Sequence, residues 1–307
     1  MRRSDEHLEQ ALEEYNQKIA ELESRNCSKE EMLEALVNRS SVLLMLELFT
    51  SSMEDSEDAI ELADSMEKEG QEIDIGTYIK MYENHGQLLY ESDNDAMASD
   101  YRKIISKLGQ VHGEMRHYDR RGAIMMCIDC AEDLLDVGMD EDSLPFLHKS
   151  LELIGGDLDK WSRNRRVHIL NLMAEAENSL GLKDGALIHL DECIRYASEL
   201  MLSSTLDDVN ELVNAYVLKG DILESKDDPE GMWDAHEAAS DILEKLYVEN
   251  RLDDVQLLIN LHQGIATSMM NSGKIELAEK HLMRSINLGI PGMKEAMREL
   301  YGKFDDL

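Results

Sequence analysis

Residues 265–292 read IATSMMNSGKIELAEKHLMRSINLGIPG. Within them Ala266, Gly273, Ala278, Leu282 and Ser285 stand at intervals of 7, 5, 4 and 3. A small residue near the end of one helix lets a second helix approach closely, and a glycine seven positions on supplies the left-handed conformation that ends the first. The chain then reverses. A small residue five positions later opens the second helix, and the steps of 4 and 3 keep its packing residues on one face. The stretch therefore predicts a helical hairpin that buries its apolar stripe only when neighbours stack on it.

The same intervals recur upstream. Ala131, Gly138, Ser143, Leu147, Ser150 and Ala174, Gly181, Ala186, Leu190, Cys193 repeat them, and two looser copies stay in step: Gly220, Asp227, Met232, His236, Ala239 and Gly86, Asp93, Ala98, Arg102, Ile105. The leading positions 86, 131, 174, 220 and 266 are separated by 45, 43, 46 and 46 residues. A fixed period of this size marks a repeat array.

In GKIELAEKHLMRSINLGIP the small, bulky, small residues Ala278, Leu282 and Ser285, with Pro291 beyond them, resemble the turn, second helix and exit of a tetratricopeptide repeat. LGLKDGALIHLDECI resembles the same element through Gly181, Ala186, Leu190 and Cys193. The resemblance covers roughly residues 70–292 and lacks the family's Trp and Tyr signature in the first helix. A period near 45 also exceeds the family's 34, so the helices are expected to be longer than usual; armadillo and HEAT arrays, with periods near this value, remain the structural alternative. The expected fold is all-α, a right-handed superhelical solenoid of about seven antiparallel helix pairs.

Composition agrees with helix. The 307 residues include only 3 prolines and 5% aromatics, where an average chain of this length has about 15 prolines. The apolar fraction of 43% suffices for a sizeable core, and 65 Asp+Glu against 31 Lys+Arg give a formal charge of −34. Such a charge disfavours duplex nucleic acid, whose binding draws on cations that neutralise phosphate. Four cysteines are too few and scattered for a secreted disulfide framework, MRRSDEHLEQALEEY lacks the apolar core of a signal peptide, and Val42–Leu46 is far too short to span a bilayer. A cytoplasmic protein away from membranes is expected. No Pro/Gly/Ser linker divides the chain, so one domain over 1–307 is expected: degenerate helices over 1–70, repeats over 71–292 and a capping helix over 293–307. In the first part, helices are expected over 5–24 and 29–50, the second opened by a Ser28/Glu31 capping box, with Ala59, Ala63 and Met66 on a third.

No catalytic motif is present: G-x-x-x-x-G-K-[ST], G-x-S-x-G, H-E-x-x-H and G-x-G-x-x-G are all missing, and His236-Glu237 lacks a second ligand. The Asp-rich loops lack the glycine and distal glutamate of an EF-hand. Cys127-Ile-Asp-Cys130 has no second ligand pair and lies inside a helix, so both thiols are expected to pack in the core, as is Cys193 four residues from His189. Neither an enzyme nor a cofactor or metal is expected.

Scarce cations gather near two repeats. Arg116, Arg120 and Arg121 precede Ala131, and Lys160, Arg163, Arg165 and Arg166 precede Ala174, at similar offsets. They form either a seat for carboxylate, phosphate or acidic peptide, or a solvated edge neutralised by Glu114, Asp119, Asp157 and Asp159. The family resemblance implies a concave surface lined by first helices, where Glu83, Gln87, Asp129, Glu132, Asn171, Glu175, Asp221 and Gln263 would face a partner. That lining suits a basic or neutral peptide better than the family's Lys/Asn grip on a C-terminal carboxylate, for which no matching set is evident. Residues 47–75 add an acidic band of 11 Asp/Glu against Lys68. The expected function is a non-catalytic protein or peptide scaffold. The alternatives are a ligand-responsive regulatory sensor and a structural homo-oligomer.

Overall fold

The computed structural model describes residues 3–25, 27–90, 92–110, 117–157, 159–252 and 255–288. Among them are thirteen α-helices and no strand: α1 (Arg3–Ser24), α2 (Lys29–Met45), α3 (Phe49–Lys68), α4 (Ile75–Leu89), α5 (Asn94–Gln110), α6 (His117–Asp136), α7 (Asp140–Ile154), α8 (Lys160–Ser179), α9 (Lys183–Leu202), α10 (Asn210–Ser225), α11 (Pro229–Val248), α12 (Gln256–Asn271) and α13 (Ile275–Asn287). After α1 they run as hairpins, α2 with α3 through α12 with α13. The chain forms two compact units, Met1–Leu153 and Ile154–Leu307. The capping helix expected beyond residue 292 lies outside the described residues.

The repeat spacing works as its chemistry predicts. The leading residues Ala131, Ala174 and Ala266 are fully buried, as are Ser143, Ala186 and Ala278 at the second-helix position. Gly138, Gly181 and Gly273 have φ of 75°, 76° and 73°. Each hairpin turn closes by a pair of bonds, as where the Gly181 N–H donates to the Asn178 carbonyl at 2.9 Å and the Leu182 N–H to the Glu177 carbonyl at 2.7 Å. Helices α8, α9 and α11 run 20 residues each, which accounts for the long period.

The structure also reveals a further copy of the spacing. Ser40, Glu47, Ser52, Ser56 and Ala59 stand at intervals of 7, 5, 4 and 3, one period before Gly86. Glu47 takes φ 58°, so α2 stops at Met45 and not near residue 50. Ser40, Ser52 and Ser56 are buried and satisfy each other: the Ser52 hydroxyl donates to the Ser40 carbonyl at 2.8 Å, and the hydroxyls of Ser40 and Ser56 lie 3.2 Å apart. Small polar residues thus replace alanine at a helix crossing by pairing their hydroxyls, and a glutamate stands where other repeats use glycine. Arg39 adds a fork to the nearly buried Asp55 at 2.6 and 2.7 Å. The Ser28/Glu31 capping box forms as expected.

In the α4–α5 hairpin the expected register shifts. Asp93 does not take the left-handed turn but caps α5, accepting from the Ala96 N–H at 3.1 Å. Arg102 is exposed, and Tyr101 and Ile104, each one residue earlier than expected, are fully buried. Gly86 explains the shift: a Cβ there would stand 2.3 Å from Tyr101 Cε1, so the missing side chain makes room for the ring. Gly220 does the same for His236, whose Cδ2 and Nε2 would lie 2.2 Å from an added Cβ.

Apolar clusters join the helices of unit 2. Val213, Leu243, Leu258 and Leu261 join α10, α11 and α12. Met232, Trp233, Ile265 and Met269 fill the space between α11 and α12, closed by Ala278 of α13.

Candidate functional site

In unit 1 the first helices α2 and α4 border a cleft of about 570 Å³. The capping box at Ser28 sets where α2 starts, and the helical repeat then places Glu30, Glu34 and Asn38 one turn apart on one face. Leu33 and Val37 lie beside them and, with Met66 and Ile73, make a buried apolar floor. On the other side Asp74 caps α4, accepting from the Thr77 N–H at 3.0 Å, and Lys80 reaches across to donate to Asn38 Oδ1 at 3.0 Å. Deeper, Asn84 Nδ2 donates to the Val37 carbonyl at 3.1 Å and to Ser41 Oγ at 2.8 Å. These bonds fix the two helices, so the cleft is preformed. Glu30 and Glu34 are exposed on its rim and make no ion pair among the described residues. The cleft therefore offers an apolar floor, two uncompensated carboxylates and a Lys80–Asn38 fork.

Sequence reasoning missed this cleft because α2 shows no glycine turn. The acidic rim was legible as an i, i+4 pair, whereas pairing of Lys80 with Asn38, 42 residues away, was not.

Of the expected groove residues in unit 1, Glu83 and Asp129 come together. The half-buried Glu83 carboxyl is pushed up to about 7 by loss of solvent, with Asp129 and Asp133 adding repulsion and Lys80 opposing it. Asp133 accepts from the Tyr101 hydroxyl at 2.6 Å. Gln87 and Asp129 are exposed, and Glu132 is half-buried. In unit 2 Asn171 serves as a brace: its Nδ2 donates to the Glu211 carbonyl at 2.9 Å and to Glu211 Oε2 at 2.5 Å, and its Oδ1 accepts from Cys193 Sγ at 3.2 Å. The Glu211 carboxyl, which also meets His168 Nδ1 at 2.7 Å, sits below its ordinary range: burial pushes it up, but His168, Asn171 and Arg165 outweigh that. Asp221 lies 3.2 Å from His236 Nε2, Glu175 is exposed and Gln263 is half-buried.

The two halves of the basic cluster fall in different units. Arg116 lies outside the described residues; Arg120 and Arg121 are half-buried on α6. In unit 2 Lys160 pairs with Asp207 at 2.6 Å and Arg163 with Glu199 at 2.8 Å, Arg166 donates to the Gly155 carbonyl, and Arg165 acts on Glu211. Their charges tie α8 to α9 and to the approach to α10.

Cys127, Cys130 and Cys193 are buried in the core, the place expected for them. Burial pushes the Cys127 and Cys193 thiols up to about 12 and Cys130 well above its ordinary value, which leaves neutral thiols without nucleophilic character. His189 Nδ1 faces Glu177 Oε2 at 2.8 Å across the α8–α9 hairpin. Among the described residues no group of three or more His, Cys, Asp or Glu could hold a metal ion, and no helix is long and apolar enough to cross a membrane.

No protein-family model matches the sequence, and no curated protein sequence matches it significantly. Solved structures do match. The chain is similar to the signal transduction ATPase with numerous domains, a protein with a tetratricopeptide repeat sensor, from Pyrococcus horikoshii, with TM-score 0.56 and 11% identity over 89% of this chain and 38% of that one. Aspartyl phosphate phosphatase F from Bacillus subtilis gives TM-score 0.52 and 14% identity over 91% of this chain and 73% of that one. BtubC from P. vanneervenii gives 0.52 and 15% over 87% and 92%. The chain thus spans little more than a third of the Pyrococcus protein, and at these identities the likeness is one of fold. Taken with the repeat spacing and its left-handed turns, it shows that the fold of this chain is a tetratricopeptide-like helical repeat.

Proposed function

We infer that the protein is a non-catalytic interaction scaffold that seats a peptide or protein segment with basic side chains on its first helices. The observation that carries this is the preformed cleft between α2 and α4, where Glu30 and Glu34 stand uncompensated above an apolar floor. A Lys or Arg entering it places its aliphatic stem on Leu33 and Val37 and its charge between the two carboxylates, and Lys80 with Asn38 is positioned for a backbone carbonyl. Within unit 1 the first helices also carry Glu83, Asp129 and Glu132, and unit 2, taken by itself, carries Glu175 and Asp221 on its own first helices.

Fluorescence anisotropy with labelled peptides tests the proposal. Peptides bearing two or more Lys/Arg are expected to bind the full chain, and Glu30→Gln with Glu34→Gln to weaken them about tenfold, the scale of one charge-assisted contact. Unchanged affinity in a variant with unchanged circular dichroism refutes the site.

A second reading, a ligand-responsive sensor, is supported by the likeness to a protein with a tetratricopeptide repeat sensor. It requires that a peptide bound in the cleft alter the small-angle scattering profile. A bound peptide that leaves the profile unchanged favours the scaffold.

A further inference from the structure

A second cleft of unit 1, about 340 Å³, lies between α4 and α5 beside the end of α3. The residues that line it from α5 are Ser99, Arg102, Lys103, Ser106 and Lys107, which one helical face brings together at steps of three and four. Tyr78 of α4 forms the opposite wall, and Glu67 is the single acid of the lining. The lining therefore carries three cations and one anion in a chain of net charge −34.

The cations are held in place by their neighbours. Tyr78 and Tyr82 meet edge to face with ring centres 4.9 Å apart. Lys103 Nζ lies 4.3 Å from the Tyr82 ring centre and Lys107 Nζ 4.7 Å from that of Tyr78. Arg102 is forked onto Asp142 at 2.7 and 2.5 Å, and Lys103 shares Asp100 with His85. Lys107 makes no ion pair among the described residues. Its ammonium, steadied over a tyrosine face, is an uncompensated positive charge at the mouth of a concavity with two serine hydroxyls beside it. Aromatic stacking lowers the entropy a lysine loses when it takes a ligand, and hydroxyl donors complete the coordination of a tetrahedral oxyanion better than that of a carboxylate. The Tyr78 hydroxyl, pushed up to about 12 chiefly by burial, stays a donor at neutral pH.

We propose that this cleft is an anion site that takes a phosphate monoester, with Lys107 and Lys103 as the charged ligands and Ser99, Ser106 and Tyr78 as neutral donors. It is independent of the basic-peptide cleft on α2 and α4: the two present opposite charge, and neither needs the other.

Isothermal titration of the full chain tests it, with inorganic phosphate, phosphoserine, a phosphoserine heptapeptide and acetate as probes. Phosphoserine is expected to bind in the millimolar range or tighter, with Lys107→Ala losing about tenfold and Lys103→Ala a comparable factor. Lys245→Ala on α11, an exposed lysine that is not part of the lining, is expected to lose nothing. Lys107 is half-buried, and circular dichroism verifies that its replacement leaves the fold intact. Tighter binding of the phosphopeptide than of free phosphoserine assigns the phosphate to a protein partner, and equal binding assigns it to a small molecule. Absence of phosphate and phosphoserine binding, acetate binding equal to phosphate, or affinity unchanged in Lys107→Ala overturns the proposal.

Discussion

Gly220→Ala should destabilise the protein although alanine is the better helix former. In an ordinary helix interior this change gains about 1 kcal/mol. Here the new Cβ would stand 2.2 Å from both Cδ2 and Nε2 of His236 and 3.0 Å from its Cγ. The ring has little room to yield: it is 6% exposed, and its Nε2 lies 3.2 Å from the Val217 carbonyl and 3.2 Å from Asp221. With an acceptor on both sides Nε2 carries the proton, and the buried Nδ1 is left without a partner. Overpacking of this kind costs about 1–3 kcal/mol, and displacing the ring forfeits about 1 kcal/mol more for its hydrogen bond, so the net loss is about 2 kcal/mol. His236→Ala removes the obstacle. In that background Gly220→Ala should recover its helix gain, for a coupling of about 3 kcal/mol between the two sites. Urea denaturation of the four proteins of the cycle measures it. A coupling under about 0.5 kcal/mol, or a stabilising Gly220→Ala in the parent chain, refutes the reasoning.

Three other perturbations follow from the structure. Glu83 titrates near 7 in the fold against 4.5 unfolded, so its contribution to stability is complete below 4.5 and is lost as pH rises through 7; Glu83→Gln should therefore raise stability by about 1–3 kcal/mol at pH 8 and little at pH 4.5, and equal effects at both pH values would exclude the assigned shift. Glu47→Gly relieves a left-handed residue at an exposed turn and should gain about 0.5–1 kcal/mol, read as a higher urea midpoint, whereas a loss would mean that the glutamate side chain makes a stabilising contact. The third concerns His262 of α12 and His281 of α13, whose Nδ1 atoms are 3.2 Å apart while their Nε2 atoms face Glu244 and Glu237 of α11 at 3.0 and 3.2 Å, with Arg284 nearby. Burial first, and then neighbouring positive charge, hold both imidazoles below the ordinary value of 6.5, so their contribution to stability is present above pH 6.5 and is lost as pH falls through the folded values. The thermal midpoint should accordingly fall more steeply from pH 7.5 to 5.5 in the parent chain than in His281→Gln, and parallel slopes would show that the pair does not titrate as described.

The helical hairpins were legible because they rest on local chemistry. Gly138, Gly181 and Gly273 end their first helices wherever the spacing places them, and alanine at the following crossing needs no partner beyond van der Waals contact. Two hairpins were harder to read. Between α2 and α3 buried serines that bond one another replace alanine, and Glu47 replaces glycine, so type alone conceals what position reveals. Between α4 and α5 the packing residue is Tyr101, made possible by Gly86, and a search for small residues at fixed steps selects Arg102 instead.

Candidate sites divide along the same line. Glu83 and Asp129 were named as groove residues only through the family resemblance, three and two positions before the leading residues 86 and 131 of their repeats, and that Asp129 acts on the Glu83 carboxyl is a fact of the folded chain. The charges around 160–166 were visible as a cluster, but Asp207 and Glu199, 36 to 47 residues away in sequence, are what neutralise Lys160 and Arg163. Charge counts cannot anticipate this, because an ion pair depends on which side chains the stacking of long helices brings within about 4 Å.

By itself, then, the sequence determined an all-helical chain with a period near 45, the glycine turns at Gly138, Gly181 and Gly273 and the burial of Cys127, Cys130 and Cys193, since spacing and backbone conformation are properties of neighbouring residues. Only the tertiary structure decided where charge is left over. Glu30 and Glu34 above an apolar floor, and Lys107 over the face of Tyr78, stand out because each is an uncompensated charge beside a concavity, which is a feature of the assembled surface alone.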